Sequence, residues 1–214
     1  MPSRLRTPLT LALGALLLSG CVSFGGKVPP FLLTLDADAA PAAGEARTAS
    51  DAATLTILIP AAPQKLRTTR IPVQQDDASV AYVKDAQWVE APQRLFQRLL
   101  SETVAARTNR VVIDEGQYLT APGEQLAGQL MEFGVDARSN EAIVVYQAMR
   151  VGAGGKTVTQ HRFEAREPIG GRIEAKPVGE ALTAPRTRSR ATSRGGWGIE
   201  ISRLVIAGET KQPG

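Results

Sequence analysis

Cys21 is the only cysteine of the 214-residue chain, and its thiol is the side chain best suited to covalent chemistry. A thiolate is a strong nucleophile, so it can accept a diacylglyceryl group and hold it through a thioether. Two small residues, Ser19 and Gly20, directly precede it. Upstream, two arginines are followed by an apolar run of about ten residues, 9–18, which is too short to span a membrane. The order of basic, apolar and small residues therefore predicts a signal peptide that ends directly before Cys21.

This order of segments resembles the lipobox of bacterial lipoproteins, in which the modified cysteine becomes the first residue of the mature chain. Residues 1–20 are then the signal peptide, and two or more acyl chains on Cys21 give a stable membrane anchor. Val22 is not the aspartate that retains such lipoproteins at the inner membrane, which favours the periplasmic face of the outer membrane. The alternative is a buried free cysteine at the end of an ordinary signal peptide or of an uncleaved anchor.

The rest of the chain has few residues that could catalyse a reaction or bind a metal. His161 is the only histidine, so a Ser-His-Asp site would have to use it. It lies in an alternating segment, 157–163, where a surface position on a strand is the simpler interpretation. One histidine and one cysteine make no metal-ligand pattern, and the glycines at 152–155 fit a turn better than a phosphate-binding loop. We therefore predict no enzyme, no metal and no cofactor.

The net charge of +4 does not indicate a nucleic-acid-binding surface once the charges are located along the chain. The signal peptide holds two of the 25 basic residues, and six more follow Thr183, where only two of the 21 acidic residues lie. The segment between Cys21 and Thr183 therefore carries more acids than bases. A mildly acidic body gives no electrostatic basis for binding nucleic acid.

Composition divides the mature chain into a tether, a domain and a tail at 184–214. Residues 21–30 are a Gly/Pro tether, and residues 31–183 are long enough for one domain with a hydrophobic core. Residues 36–53 are expected to be a loop or a disordered excursion, and 61–78 to be irregular. Short apolar or alternating segments predict strands at Phe31–Leu35, Leu55–Ile59, Ser79–Val83, Val111–Ile113, Leu126–Ala137, Ala142–Met149 and Thr157–Ala165. The strand at Val111–Ile113 is expected to be buried, and the last two strands are expected to pair as a hairpin.

Two segments have helical spacing. The clearer helix begins at Pro92, because a proline in the first turn loses no hydrogen bond, and is expected to end near Asn109. A second helical pattern begins at Val178. Continuous apolarity at 55–59 and 142–149 favours strands that are covered by helices on both faces. We therefore predict a single α/β domain with a mixed sheet and packed helices, with α+β as the alternative because the predicted hairpin is antiparallel.

The composition changes after residue 183. Residues 184–214 are rich in Arg, Ser and Thr, which predicts a disordered basic tail. A frameshift in a GC-rich gene is the sharper hypothesis, because reading one base earlier gives apolar codons at Ser189, Ser193 and Trp197. These positions continue the four-residue spacing of the second helical pattern. On this hypothesis the printed chain lacks a closing helix.

Together these features resemble the ABC-type transport auxiliary lipoproteins, a family that includes the PqiC-like intermembrane-transport lipoproteins. The resemblance covers residues 21 to about 183 and has no catalytic signature, while the tail departs from it. It rests on the lipobox, two strands separated by a long gap, the ending Ile59-Pro60, and the pattern Tyr82-x5-Trp88-Val89-Glu90-x-Pro92 leading into Leu95-x3-Leu99-Leu100.

The residues that carry the resemblance are themselves predicted to be structural. Tyr82, Trp88 and the leucines of the first helix are expected in the core. Trp88 and Phe96 are expected to meet at the corner between strand and helix. The sequence therefore indicates a partner-binding domain and gives no ligand-binding residue besides Cys21.

The resemblance implies an accessory subunit of a lipid-transport system. Members of this family accompany an inner-membrane ABC permease with its ATPase and a periplasmic MCE-domain protein that extends towards the outer membrane. This lipoprotein would be the non-catalytic docking point at the outer-membrane end, as a monomer or a homo-oligomer. Two alternatives stay open: an envelope-structural or assembly lipoprotein unrelated to transport, and a periplasmic hydrolase with His161 as its base.

Overall fold

The computed structural model describes residues 29–37, 44, 46–50, 53–108, 110–116 and 123–183. The predicted signal peptide, Cys21, most of the tether and the whole tail lie outside these residues. The strands are β1 Leu55–Ile57, β2 Arg70–Gln74, β3 Val80–Gln87, β4 Val112–Asp114, β5 Glu124–Asp136, β6 Glu141–Val151 and β7 Val158–Pro168. The helices are α1 Pro92–Arg107 and α2 Ala175–Thr183.

The seven strands form one mixed sheet around β5. β6 pairs antiparallel along one side of β5, while β1 and β2 pair in parallel with its beginning and its end on the other side. β4 extends the sheet beyond β1, β3 extends it beyond β2, and β7 forms the opposite edge next to β6. The predicted single α/β domain with a mixed sheet and packed helices is confirmed, as is the antiparallel hairpin that β6 and β7 form.

Helix α1 begins at Pro92 as predicted, since the first turn needs no N–H from that residue. It ends at Arg107, where both the N–H and the hydroxyl of Thr108 donate to the carbonyl of Val104, at 2.9 and 2.8 Å. The predicted apolar stripe is buried against the sheet and consists of Leu95, Phe96, Leu99, Leu100 and Val104.

Both helices pack on the same face of the sheet. Leu95 of α1 and Val178 of α2 belong to one core, together with Tyr146 of β6. Ile143 and Val145 point to the opposite face of β6, and they are buried outside this core. For the described part of the chain, the prediction of helices on both faces is therefore wrong. Continuous apolarity correctly indicated burial of the strands but did not indicate what covers each face.

Three predictions about individual strands are also wrong. Phe31–Leu35 forms only one pair, a parallel bridge between Leu33 and Trp88, the residue that directly follows β3. The region 61–78, expected to be irregular, contains β2. β4 was expected to be buried but is half-exposed, because it lies at the sheet edge and pairs only with β1.

Four aromatic rings fill the space between α1 and the sheet. Phe133 of β5 lies against Trp88, with ring centroids 5.4 Å apart, and against Phe96, at 6.3 Å. Phe96 also contacts Tyr146 at 4.9 Å. The expected meeting of Trp88 and Phe96 is thus made through Phe133. Tyr82, expected in the core, is instead half-exposed under the guanidinium of an arginine on β2.

Candidate functional site: the root of the lipid tether

The segment Phe31–Leu35, which we call the tether root, joins the predicted lipid anchor to the folded domain. Cys21, the predicted lipidation site, lies outside the described residues. Only residues 22–28 separate it from Pro29, where the described chain begins. The tether root is therefore the part of the structure that would stay nearest to the anchor.

Two backbone hydrogen bonds attach the tether root to the end of β3. The N–H of Leu33 donates to the carbonyl of Gln87 at 2.8 Å, and the N–H of Val89 donates to the carbonyl of Leu33 at 2.9 Å. Between them, the N–H of Trp88 points the other way and donates to the carbonyl of Thr69 at 2.7 Å. The end of β3 is thus held from both sides, by the tether root and by the chain that leads into β2.

Side-chain packing fixes the same segment to α2. Leu35 is only 2% exposed and belongs to the core. A Cβ atom added at Gly179 would lie 2.7 Å from Cδ2 of Leu33, so this leucine rests directly on the backbone of the helix. Because the leucine occupies the space that a side chain would need, a glycine suits this position. A pull on the tether would therefore be borne by both β3 and α2.

Three large apolar side chains remain exposed around this attachment. Phe31 is 47% exposed, Leu32 50% and Val89 45%. Leu32 and Val89 flank the paired residues Leu33 and Trp88, and side chains alternate between the two faces of extended chain. Since Trp88 points into the core, Leu32 and Val89 point away from it. Phe31 is exposed at the bend that precedes Leu32, where strand alternation does not set its direction. We call the three exposed residues Phe31, Leu32 and Val89 the apolar patch.

His161, the only candidate base for a hydrolase, lies on the exposed edge strand β7. Its ring contacts that of Phe163, with centroids 4.5 Å apart, and its register partner on β6 is Ala148. The side chain is exposed, so the predicted surface position on a strand is confirmed.

A charged network joins two turns at one end of the strands. Asp136, at the end of β5, accepts hydrogen bonds from the N–H and guanidinium of Arg138 and from Arg166 on β7. Burial alone would raise the pKa of Asp136, but these hydrogen bonds outweigh it and hold the pKa below its usual value. Arg138 also reaches Asp77, which lies between β2 and β3, at 2.8 Å. The network therefore connects elements of the sheet.

Two further polar clusters have the same structural character. Glu124, at the start of β5, pairs with both Arg110 and Arg150. On α1, the amide of Gln97 donates to Oδ1 of Asp114 on β4 at 2.7 Å. The partners of Glu124 are 14 and 26 residues away in sequence, so no local sequence motif predicts this cluster.

The described part of the chain has no group of three or more His, Cys, Asp or Glu side chains placed to hold a metal ion. Among the helices in these same ranges, none is both long enough and apolar enough to cross a membrane.

Solved structures share this fold. A protein of the DUF330 family from Xanthomonas campestris is similar, with a TM-score of 0.61 and 15% identity, over 84% of this chain and 96% of the other. A second structure, titled as an uncharacterized protein, has a TM-score of 0.56 and 12% identity, over 73% of this chain and 92% of the other. At these identities the similarity shows the fold alone. No curated protein matches the chain significantly.

The fold and its N-terminal attachment define a small domain in which sheet, helices and tether root form one unit. The model of a family described as ABC-type transport auxiliary lipoprotein component matches residues 33–179. The match thus runs from Leu33 to Gly179, the two residues that touch where the tether root meets α2. The chain belongs to this family, which confirms the resemblance seen in the sequence.

Proposed function

We propose that this chain is a non-catalytic docking subunit of an ABC/MCE-type intermembrane lipid transport system, anchored by lipidated Cys21 at the periplasmic face of the outer membrane. Family membership supports the coarser part, an auxiliary component of ABC-type transport. The observation that carries the finer part is the tether root. Its backbone pairs with β3 and Leu33 packs on α2, so a domain built this way would be held firmly a few residues from its anchor.

The use of the charged side chains supports a non-catalytic role. Asp136 and Glu124 are paired with arginines from other strands, and Gln97 links α1 to β4. These groups stabilise the connections between elements, whereas an active site needs them to converge on a substrate. His161 lies on the opposite edge of the sheet from the tether root.

The anchor is tested by comparing Cys21→Ser with Ser23→Ala, a matched change two residues away. We expect the parent chain and Ser23→Ala to carry acyl chains on the N-terminal peptide in mass spectrometry and to float with membranes. Cys21→Ser should stay unmodified and remain in the periplasmic fraction. An unmodified thiol at position 21 of the parent chain would contradict the proposal.

The choice of membrane is tested by Val22→Asp. This variant should still be lipidated but should shift from the outer-membrane to the inner-membrane fraction on a density gradient. A parent chain that already fractionates with the inner membrane would contradict the outer-membrane assignment and leave the lipid anchor intact.

The partner is tested by crosslinking in cells that express the tagged full-length chain. We expect an MCE-domain protein to co-purify with the parent chain, and to be lost with Val22→Asp, which removes the domain from the outer membrane. The His161→Ala variant serves as a control that should retain the partner. Co-purification of envelope-assembly proteins with no MCE-domain protein would instead support a structural lipoprotein.

We also propose that the tail at 184–214 is out of frame. In α2, Val178 is fully buried and Leu182 is 2% exposed, so the four-residue spacing follows a face that packs on the core. The shifted reading would extend this face. Resequencing the gene around codon 184 tests the proposal: a frame without a gained or lost base relative to close relatives would contradict it.

A further inference from the structure

We propose that the apolar patch is a membrane-contact surface that seats the domain on the same lipid bilayer that holds the acyl chains of Cys21. This inference rests on the proposed anchor and adds the orientation of the domain. It assigns Phe31, Leu32 and Val89 to the headgroup region of the bilayer.

The first argument is the geometry of the patch. Phe31, Leu32 and Val89 are each close to half-exposed, although a core lies directly behind them. Leu32 and Val89 come from two different segments, and the pairing of Leu33 with Trp88 brings them to one outward face. Apolar side chains held together on a rigid backbone lose little conformational entropy when they are buried against another surface.

The second argument is the short distance to the anchor. Nine residues, 22–30, lie between Cys21 and Phe31, so even when fully extended the ten steps along the chain span only about 35 Å. Tethering turns the contact into an intramolecular event with an effective concentration of about a millimolar. A patch of three side chains would bind a membrane poorly when free, but under these conditions a weak contact suffices.

The third argument is the composition of the tether. Residues 22–30 read Val-Ser-Phe-Gly-Gly-Lys-Val-Pro-Pro, with one basic residue and no acidic one. Aromatic and basic residues favour the interface between headgroups and acyl chains. The nearest acid along the chain to Val89 is Glu90, which pairs with Arg98 at 3.0 Å, so its charge is compensated. Two other acids, Asp36 and Asp85, are exposed on the segments that carry the patch. The contact would therefore depend on burial of the apolar side chains and not on attraction to lipid charge.

The test uses a convenient property of the sequence. Lipidation of Cys21 leaves no free thiol in the chain, so a cysteine introduced elsewhere is the only site for a thiol-reactive dye. The variants are Leu32→Cys and Val89→Cys in the patch. Val158→Cys is the matched control, since Val158 is 62% exposed and lies on β7 at the opposite edge of the sheet.

Each lipidated full-length variant is labelled with an environment-sensitive NBD dye and reconstituted into vesicles of phosphatidylethanolamine and phosphatidylglycerol. We expect blue-shifted emission at positions 32 and 89, and at least threefold stronger quenching there by doxyl-labelled lipids than at position 158. A further Phe31→Ser change should reduce quenching at position 89, because it removes one of the three apolar side chains that would hold this surface against the bilayer and leaves the dye in place.

The outcomes separate this inference from the anchor on which it rests. If the parent chain takes up the dye or fails to float with vesicles, Cys21 is not lipidated, and both proposals fall. If all variants float but quenching is equal at the three positions, the anchor stands and the membrane-contact surface is overturned. Protection of positions 32 and 89 from aqueous iodide only when partner proteins are added would also overturn it, by assigning the patch to a protein.

Discussion

Trp88 and Val89 are neighbours in sequence, yet they belong to two regions of opposite character. Trp88 is 1% exposed and lies in the aromatic core beside Phe133, whereas Val89 is 45% exposed in the apolar patch. The same backbone pairing with Leu33 fixes both. Hydrophobic residue type alone therefore does not separate residues that stabilise the core from residues that face outward, because side chains alternate between the two faces of an extended chain.

Of these two residues, the buried Trp88 should contribute far more to the free energy of unfolding than Val89. Trp88→Ala removes a large side chain from the contact with Phe133, and we expect it to lower the free energy of unfolding by about 3–5 kcal/mol. Val89→Ala is the matched control and should change it by less than about 0.5 kcal/mol. Urea unfolding of the lipidated chain in detergent, followed by circular dichroism, measures both. Equal losses would show that Val89 also stabilises the fold.

Gly134 and Gly179 differ in what a Cβ atom at each position would meet, a backbone atom or a flexible side chain. A Cβ at Gly134 would lie 2.3 Å from the carbonyl oxygen of Pro72, and this backbone atom cannot move away easily. We expect Gly134→Ala to cost about 2–3 kcal/mol. Gly179→Ala meets only the flexible end of Leu33, and alanine is a better helix former, so its effect should stay below about 1 kcal/mol.

A double-mutant cycle checks the second glycine. If Leu33 rests on α2 as the structure shows, Leu33→Ala should remove any cost of Gly179→Ala, with a coupling energy of about 0.5 kcal/mol or more. Additive effects of the two changes would contradict a direct contact between the tether root and the helix.

Acid should distinguish the charged network from the apolar patch. The pKa of Asp136 is lowered in the folded protein, so its contribution is present above the unfolded-state pKa, about 3.8, and is lost as the pH falls through the folded value. Asp136→Asn should cost about 1 kcal/mol at pH 7 and much less near pH 2. Urea unfolding at the two pH values measures this. A constant cost would mean that the carboxylate charge contributes nothing.

The smallest effect on stability is expected in the patch itself. Phe31→Ser combined with Leu32→Ser should change the free energy of unfolding by less than about 0.5 kcal/mol, because both side chains are about half-exposed. The same variant should weaken lipid contact at Val89 in the vesicle experiment. A loss of several kcal/mol would show that Phe31 and Leu32 stabilise the fold as core residues do.

Much of the fold could be predicted because its signals are local. Pro92 and the stripe that follows it define α1, and alternation defines the β6–β7 hairpin. β2 was missed because only three buried residues, Ile71 to Val73, lie between polar neighbours. The strand predicted at Phe31–Leu35 was wrong because its apolar residues do not line a strand face. Leu33 and Leu35 pack on the core, whereas Phe31 and Leu32 are exposed.

The candidate site was predictable only in part. The lipobox places the proposed anchor at Cys21 without any structure, because the signal is a short linear pattern. The patch was not predictable, because it combines Leu32 with Val89, two residues that are distant in sequence. No spacing rule relates them, and only the pairing of Leu33 with Trp88 brings them to one face.

The start of α1, the β6–β7 hairpin, the family resemblance and the proposed lipid anchor can all be predicted from the sequence, since each depends on neighbouring residues. That both helices cover one face of the sheet, that Phe133 connects Trp88 with Phe96, and that Leu33 rests on Gly179 is seen only in the folded structure. These contacts join residues far apart in the chain. Periodicity reports which side of an element is buried, but only the folded chain selects the partner that buries it.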